Sequence, residues 1–394
     1  MSHIDDKYRE IEEGYGKGTV DAVRELQSLF TDGLIEWIAG LWDKDRGGFY
    51  YSNSARDNDE FLPDIESTGQ ALSHLEMLGI VDAPEDLPAS VRKKLAAFAQ
   101  NMQDKDDGYF YHEQWGKNIN DSRRGRDLSN ACLTLKWAGS KPLYPTALER
   151  LNANSGGETD LSVVSANLRS REAFVSYLES LDLPADPYAK GHVLASQAAE
   201  IKAAGLADVC ADFLTSHQLE NGMWSGEYNY YAASAMLKIS GAYQVLGKEF
   251  PNPDKALLAA IKIALNTDKV GCTVEVYNPI CTVQNIFDNV RNTGKGELLY
   301  RGKQILRDNA ERLVRTTAEK ISAFRREDGS FSYLRDRSTP RSQMVTVSLG
   351  LCEGDMNATA LMDSSRARCL AILGIDGMKP CTPEARKMFF EKVK

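Results

Sequence analysis

The chain has 394 residues, 42% of them hydrophobic and 26% charged, with a formal net charge of −9. That length admits two or three average domains or one large repeat-built one, and the composition supplies an ordinary globular core. The 47 Lys and Arg are scattered among 56 Asp and Glu, which argues against a nucleic-acid partner, because phosphate backbones require clustered basic residues.

The opening MSHIDDKYREIE is charged and lacks the apolar core of a secretory signal. No apolar run is long enough to span a bilayer. Seven cysteines, at positions 132, 210, 272, 281, 352, 369 and 381, are odd in number and form no CxxC pair. They read as reduced, mostly buried thiols of a soluble cytoplasmic protein rather than a disulfide frame or a zinc cluster.

In chain order, amphipathic segments alternate with segments of small and apolar residues. VDAVRELQSLFTDGLIEWIAGL leads through the turn Gly47-Gly48-Phe49 to DIESTGQALSHLEML, which ends at Gly79. SVRKKLAAFAQNM leads through Gly108-Tyr109-Phe110 to RDLSNACLTLKWA, ending at Gly139, and an insertion over Ser140–Leu161 follows. SREAFVSYLESL leads through Pro184–Tyr188 to GHVLASQAAEIKAA, ending at Gly205. LADVCADFLTSHQL leads through Gly222-Met223-Trp224 to NYYAASAMLKISGAYQVL, ending at Gly247. DKALLAAIKIAL leads through Gly271–Asn278 to a segment ending at Gly294. ILRDNAERLVRTTAEKISAF leads through Gly329-Ser330-Phe331 to a last one ending at Gly374.

Four of these turns place Gly after acidic or amide residues and an aromatic soon after it, a pattern that reverses the chain and returns it to the core. A Gly just past the last helical turn closes a helix in the left-handed conformation. Small residues on most faces imply a helix packed on several sides, hence an inner helix, whereas the charged-faced segments suit an outer ring. The expected fold class is therefore all-α, an (α/α)6 toroid of six outer and inner helix pairs in one domain over 1–394. An open helical solenoid is the alternative.

At this level the chain resembles the α/α-toroid proteins. Gln218-Leu219-Glu220-Asn221-Gly222-Met223-Trp224 is similar to the QxxxGxW repeat of terpenoid cyclases, and DIESTGQALSHLEMLG to an inner helix of the prenyltransferase repeat. LWDKDRGGFYYSNSARD resembles the N-terminal region of N-acylglucosamine 2-epimerases and related (α/α)6 sugar enzymes. The departures are specific. Asp104-Lys105-Asp106-Asp107 spells the DxDD of protonating cyclases but precedes Gly108 in a turn. No Asp-x-Cys zinc pair occurs, a late His-Pro-Gly segment is missing, and the last histidine is His217. No metal and no cofactor are expected.

Six inner helices entered through such turns would begin on one face, collecting unpaired backbone N–H groups and positive dipole ends. The residues there are Asp64 and Glu66; Arg123, Arg124, Arg126 and Asp127; Tyr188, Lys190 and His192; Glu227, Tyr228, Asn229 and Tyr230; Tyr277 and Asn278; and Glu353, Asp355 and Asn357. Asp64, Asp127 and Asp355 read equally as helix N-caps, worth about 1 kcal/mol each. The Arg123–Arg126 run reads equally as a solvated loop, His192 as a structural histidine, and the tyrosines and Trp224 as rim packing.

The polar, carboxylate-rich mouth and the resemblance imply a carbohydrate-active enzyme. It would be a glycoside hydrolase or a polysaccharide lyase, with a uronate-containing oligosaccharide among the candidate substrates. Hydrolysis requires two carboxylates flanking the bond, here Asp64 or Glu66 opposite Asp127, Glu353 or Asp355. Elimination requires a base, His192 or Tyr228, beside a neutralised acid group held by Arg126 or Asn229. Arg123, Tyr188, Tyr230, Tyr277, Asn278, Asn357 and Trp224 are the further candidate substrate contacts. The alternatives are a terpenoid cyclase or prenyltransferase-like enzyme, which needs an aromatic-lined apolar cavity, and a non-catalytic toroid binding a sugar or protein partner. Oligomeric state is left open, and no membrane partner is expected.

Overall fold

The computed structural model describes residues 3–147, 149, 165–293 and 296–394. The described chain is all-α apart from one short hairpin. Its helices are α1 (His3–Tyr15), α2 (Lys17–Ser28), α3 (Asp32–Gly40), α4 (Asn53–Arg56), α5 (Ile65–Leu78), α6 (Ala89–Asn101), α7 (Asp121–Trp137) and α8 (Arg171–Ser180). They continue with α9 (Pro187–Ala203), α10 (Ala207–Ser216), α11 (Tyr230–Leu246), α12 (Pro253–Ala264), α13 (Val274–Thr293), α14 (Gly296–Ser322), α15 (Met356–Ile372) and α16 (Pro383–Val393). Strands β1 (Arg341–Ser342) and β2 (Val345–Thr346) pair antiparallel within the long α14–α15 connection.

The small-residue segments form α5, α7, α9, α11, α13 and α15, and these pack side by side in the order α7, α5, α15, α13, α11, α9. The amphipathic segments lie outside them: α6 on α7, α10 on both α9 and α11, α12 on α13, and α14 on both α13 and α15. The end of the chain thereby returns to its beginning. α15 packs on α5, Met356 donates its N–H to Tyr51 O at 2.8 Å, and α14 packs on α2. One buried apolar cluster runs from Ile11 to Val393 through both sets of helices.

Local signals explain the boundaries. Side chains of Asp64, Asn120, Asp186, Asn229 and Asp355 cap α5, α7, α9, α11 and α15, each accepting an N–H from the first turn. Gly79, Gly139, Gly205, Gly247 and Gly374 all have positive φ just beyond inner helices. The sixth expected terminator, Gly294, and most of the expected insertion over 140–161 lie outside the described residues. At Gly222 the requirement is strictest: φ is +81°, and an added Cβ would sit 2.4 Å from the backbone N of Ala256. Turn and outer helix α12 therefore meet backbone to backbone.

Several boundaries differ from expectation: α13 begins at Val274, inside the expected Gly271–Asn278 turn, and α14 begins at Gly296, well before Ile305. The first amphipathic stretch breaks at Thr31, the N-cap position of α3. Helix α7 starts at Asp121, ahead of the Arg123–Arg126 run, so these arginines are helical rather than loop residues. The Asn120 cap and the i,i+4 pairing of Arg123 with Asp127 extend the helix backward. No described helix is long and apolar enough to cross a membrane.

Candidate active site

A cavity of about 760 Å³ opens between the inner helices. Every one of the six contributes to its wall, through Glu66 of α5, Arg126 of α7, Ala195 of α9, Lys238 of α11, Tyr277 of α13 and Asn357 of α15. The size falls in the range typical of small-ligand pockets. Near the N-terminal ends of the helices the wall is polar. Further along them it is mixed, with Met77, Leu237, Val245 and Leu361 among Ser73, Lys238, Asn285 and Ser364.

Glu66 sits in the first turn of α5, 3% exposed. Its carboxylate accepts from Arg123 Nη1 at 2.9 Å and from Ser342 Oγ at 2.9 Å, and is paired with Arg126. Beneath it, Arg123 is fully buried and also reaches Asp64 at 3.0 Å and Asp127 at 2.9 Å. Its guanidinium lies 4.9 Å from the centre of the Trp115 ring, which stacks on His112. Burial opposes the charge on Arg123, but the carboxylates of Asp64, Asp127 and Glu66 outweigh it and hold the pKa above the ordinary value.

The other candidate acids do not face this cavity. Asp64 is buried as the α5 cap, accepting from Ser67 N and Ser67 Oγ as well as from Arg123. Asp127 is not a cap. It lies fully buried in the second turn of α7, in contact with Arg123 Nε but without a well-directed N–H···O bond. Burial pushes its pKa up to about 7 against the pull of Arg123. Asp355 caps α15 and accepts from Tyr51 Oη at 3.0 Å and Tyr333 N at 2.8 Å. Complete burial raises its pKa to about 7 despite these donors. Glu353 is taken up by Ser52 Oγ, Ser54 N and Ser338 Oγ at 2.8–3.3 Å, and so ties the α14–α15 connection to α4. The expected pair of carboxylates facing one another across a cleft is therefore not formed by these residues. Packing has committed them to caps and ties.

His192 lies in the second turn of α9 with its ring 6.5 Å from that of Tyr188 and nearly parallel to it. Partial burial of the imidazole and the charges of Lys238 and Arg126 lower its pKa. Tyr188 is exposed and meets Tyr231 edge-on. Tyr277 lines the cavity and its hydroxyl accepts from Arg368 Nη2 at 3.1 Å, while Asn357 accepts from Gln70 Nε2 at 3.0 Å.

Several expected contacts are structural. Trp224 is buried and donates to Leu214 O at 2.8 Å. The Tyr228 ring lies under Lys262, 3.6 Å from Nζ. Asn229 caps α11, Tyr230 donates to Asp268 O at 3.1 Å, and Asn278 donates to Ser234 Oγ at 2.8 Å. The DxDD segment is turn chemistry: the Asp104 carboxylate accepts N–H groups of Asp106 and Asp107.

Compared with known proteins, the chain matches no family model, no curated protein and no solved structure. The resemblance to toroid enzymes thus stands on helix order and short motifs alone.

Sequence reasoning missed two parts of the site. Lys238 projects from the middle of α11 into the cavity and is the sole charged residue of that helix, a signal available in YYAASAMLKISGAYQVL. The hairpin β1–β2 is tied to the starts of α5 and α7. Ser342 reaches Glu66, and Gln343 accepts from Asn120 Nδ2 at 3.2 Å and from Ser122 Oγ at 2.7 Å. Its two central residues, Gln343 and Met344, have φ of 47° and 74°, the left-handed values a two-residue hairpin turn demands.

Proposed function

We propose that the chain is an (α/α)6 toroid enclosing a polar substrate cavity, and that it is a carbohydrate-active enzyme of the lyase type. The observation that carries this reading is the composition of the cavity wall. All six inner helices contribute to it, and among the described residues lining it Glu66 is the single carboxylate, beside the cations Arg126 and Lys238. Convergence of six separate chain stretches on one cavity favours a closed ring over an open solenoid. One acid in place of two favours elimination over two-carboxylate hydrolysis. One aromatic ring on the wall, Tyr277, disfavours a carbocation-sheltering cyclase.

In such an elimination a base takes the proton next to a uronate carboxyl, the freed electron pair forms a C=C bond, and the glycosidic C–O bond breaks. The departing oxygen then takes up a proton. His192 is not among the residues lining the cavity, but it lies near enough to Lys238 and Arg126, which do line it, for their charges and its partial burial to lower its pKa, and this suits a base. Glu66 suits a fixed anchor, since Arg123, Arg126 and Ser342 converge on its carboxylate and hold it in place.

The test is to incubate the protein with acidic and neutral oligosaccharides, following both unsaturated product by ultraviolet absorbance and new reducing ends. Reducing ends with unsaturated product are expected from uronate-containing substrates. His192→Ala should lower that rate by about 100-fold or more. Reducing ends without unsaturation would replace elimination by hydrolysis, and an unimpaired His192→Ala would remove the histidine from the chemistry.

A further inference from the structure

We propose that Arg126 and Lys238 form a subsite for an anionic substituent of the ligand, a carboxylate or a phosphate carried on a sugar. The inference rests on reading the cavity as a sugar site.

Lys238 carries the argument. It is half-buried in the wall of α11 and forms no hydrogen bond or ion pair with another described residue. Lysines with structural roles in this chain are engaged: Lys320 Nζ donates to Ala264 O at 2.7 Å, and Lys202 Nζ to Val245 O at 3.1 Å. Removing an ammonium from water without a partner is costly, so an idle one in a cavity wall is either a defect or half of an interaction. The neighbouring charge it senses most is another cation, Arg126, whose repulsion adds to burial in lowering its pKa.

Arg126 stands on a separate helix, α7, and lines the same cavity. Its carboxylate partner is Glu66, which does not depend on it, because Arg123 and Ser342 hold Glu66 from the other side. Arg126 can therefore turn toward a ligand without stranding a buried acid. Counting lining residues alone gives Arg126 and Lys238 against Glu66, a local excess of one positive charge in a chain whose net charge is −9. A cavity of reversed sign within an acidic molecule draws anions inward and lets its walls focus the field. Space is present on the Lys238 wall, since a Cβ added at Gly241, one turn further along α11, would meet nothing within 4 Å. Two cations from different helices on one cavity wall, one of them without a partner among the described residues, suit an anion with several oxygens better than a neutral hydroxyl.

Calorimetric binding of glucose, glucuronate and glucose 6-phosphate tests the proposal, with inorganic phosphate as a probe lacking the sugar. Wild-type protein should prefer at least one acidic sugar to glucose by about tenfold or more, the value of one charge-assisted contact. Lys238→Met should abolish that preference while leaving glucose binding within about twofold. Arg126→Met should weaken both acidic sugars, and each variant's thermal midpoint controls for misfolding. Equal binding of all three sugars to wild type, or a preference that survives in both variants, overturns the subsite and leaves the sugar cavity standing. Phosphate binding that disappears in Lys238→Met, with no sugar bound, supports the cation pair and removes the sugar reading. Binding of none of the four probes removes both.

Discussion

Replacing Asp127 by Asn should change how the stability of this protein depends on pH. Burial, with the nearby carboxylates of Asp64 and Glu66, pushes the folded carboxyl's pKa from an ordinary 3.8 up to about 7 against the pull of Arg123. Raising an acid's pKa on folding means that the folded state binds the proton more tightly. Between the two values the native chain holds more protons than the unfolded one, so this group makes stability fall as pH rises from about 4 to about 7. At 1.36 kcal/mol per unit the fall is at most about 4 kcal/mol, and relaxation around the charge will reduce it. Asparagine mimics the neutral acid and cannot ionise. Urea unfolding of wild type and Asp127→Asn at pH 4.5, 6 and 7.5 therefore gives a difference that moves in the variant's favour with increasing pH. Acids outside the Arg123 cluster contribute equally to both chains and cancel, whereas Asp64 and Glu66 share Arg123 with Asp127 and add their own change to the difference. Parallel profiles for the two proteins would refute the reasoning, since they would mean that Asp127 is already ionised, or already solvated, in the native state.

Arg123→Met leaves Asp64, Asp127 and part of the Glu66 charge without their shared buried counter-ion; a loss of about 3–5 kcal/mol in urea unfolding at pH 7 is expected, and a loss below about 1 kcal/mol would show the cluster to be wet. Lys238→Met, by contrast, removes a half-buried cation that has no partner among the described residues and lies near another cation, so its melting temperature should equal or exceed that of wild type; a clear drop would reveal a hidden tie. Gly222→Ala forces a left-handed φ on a residue with a Cβ and drives that atom against the Ala256 backbone. Its cost should be at least about 2 kcal/mol by urea unfolding, and wild-type stability would mean that the turn can move away from α12.

The inner helices were legible because their signals are local. A capping Asp or Asn, a run of small residues and a terminating Gly act within one or two turns of the residues that display them, as at Asp64 and Gly79 around α5. The turns at Gly47, Gly108, Gly222 and Gly329 were legible for the same reason, and all four have positive φ. The site was legible only in part. Glu66, Arg126, Tyr277 and Asn357 do meet in one cavity. Nothing near Asp127 in the sequence says that it will be sealed from water, because its burial comes from packing and its environment from Asp64 and Glu66 on another helix. Likewise Ser342 meets Glu66 across 276 positions, and Glu353 meets Ser52 across 301. An acid's role depends on whether solvent reaches it, and that is decided by tertiary contacts which sequence spacing does not encode.

Two features of this molecule are unfavourable on their own terms, and both adjoin the same cavity. A fully buried arginine set among three carboxylates is poor material for stability, since the desolvation of such groups offsets most of their attraction. What it does provide is a fixed place for Glu66, held from below by Arg123 and from the side by Ser342. In the wall of the same cavity, Lys238 is half-buried and has no partner among the described residues. Such departures are not confined to the cavity: Asp363 is fully buried between His74 and Arg366, and the indole N–H groups of Trp37, Trp42 and Trp137 are buried without a partner among the described residues. What sets the first two apart is their place, since Arg123 supports and Lys238 lines one cavity to which six separate helices contribute. On the proposed reading these two features have different tasks, Glu66 being held rigid and Lys238 staying available to an anionic group.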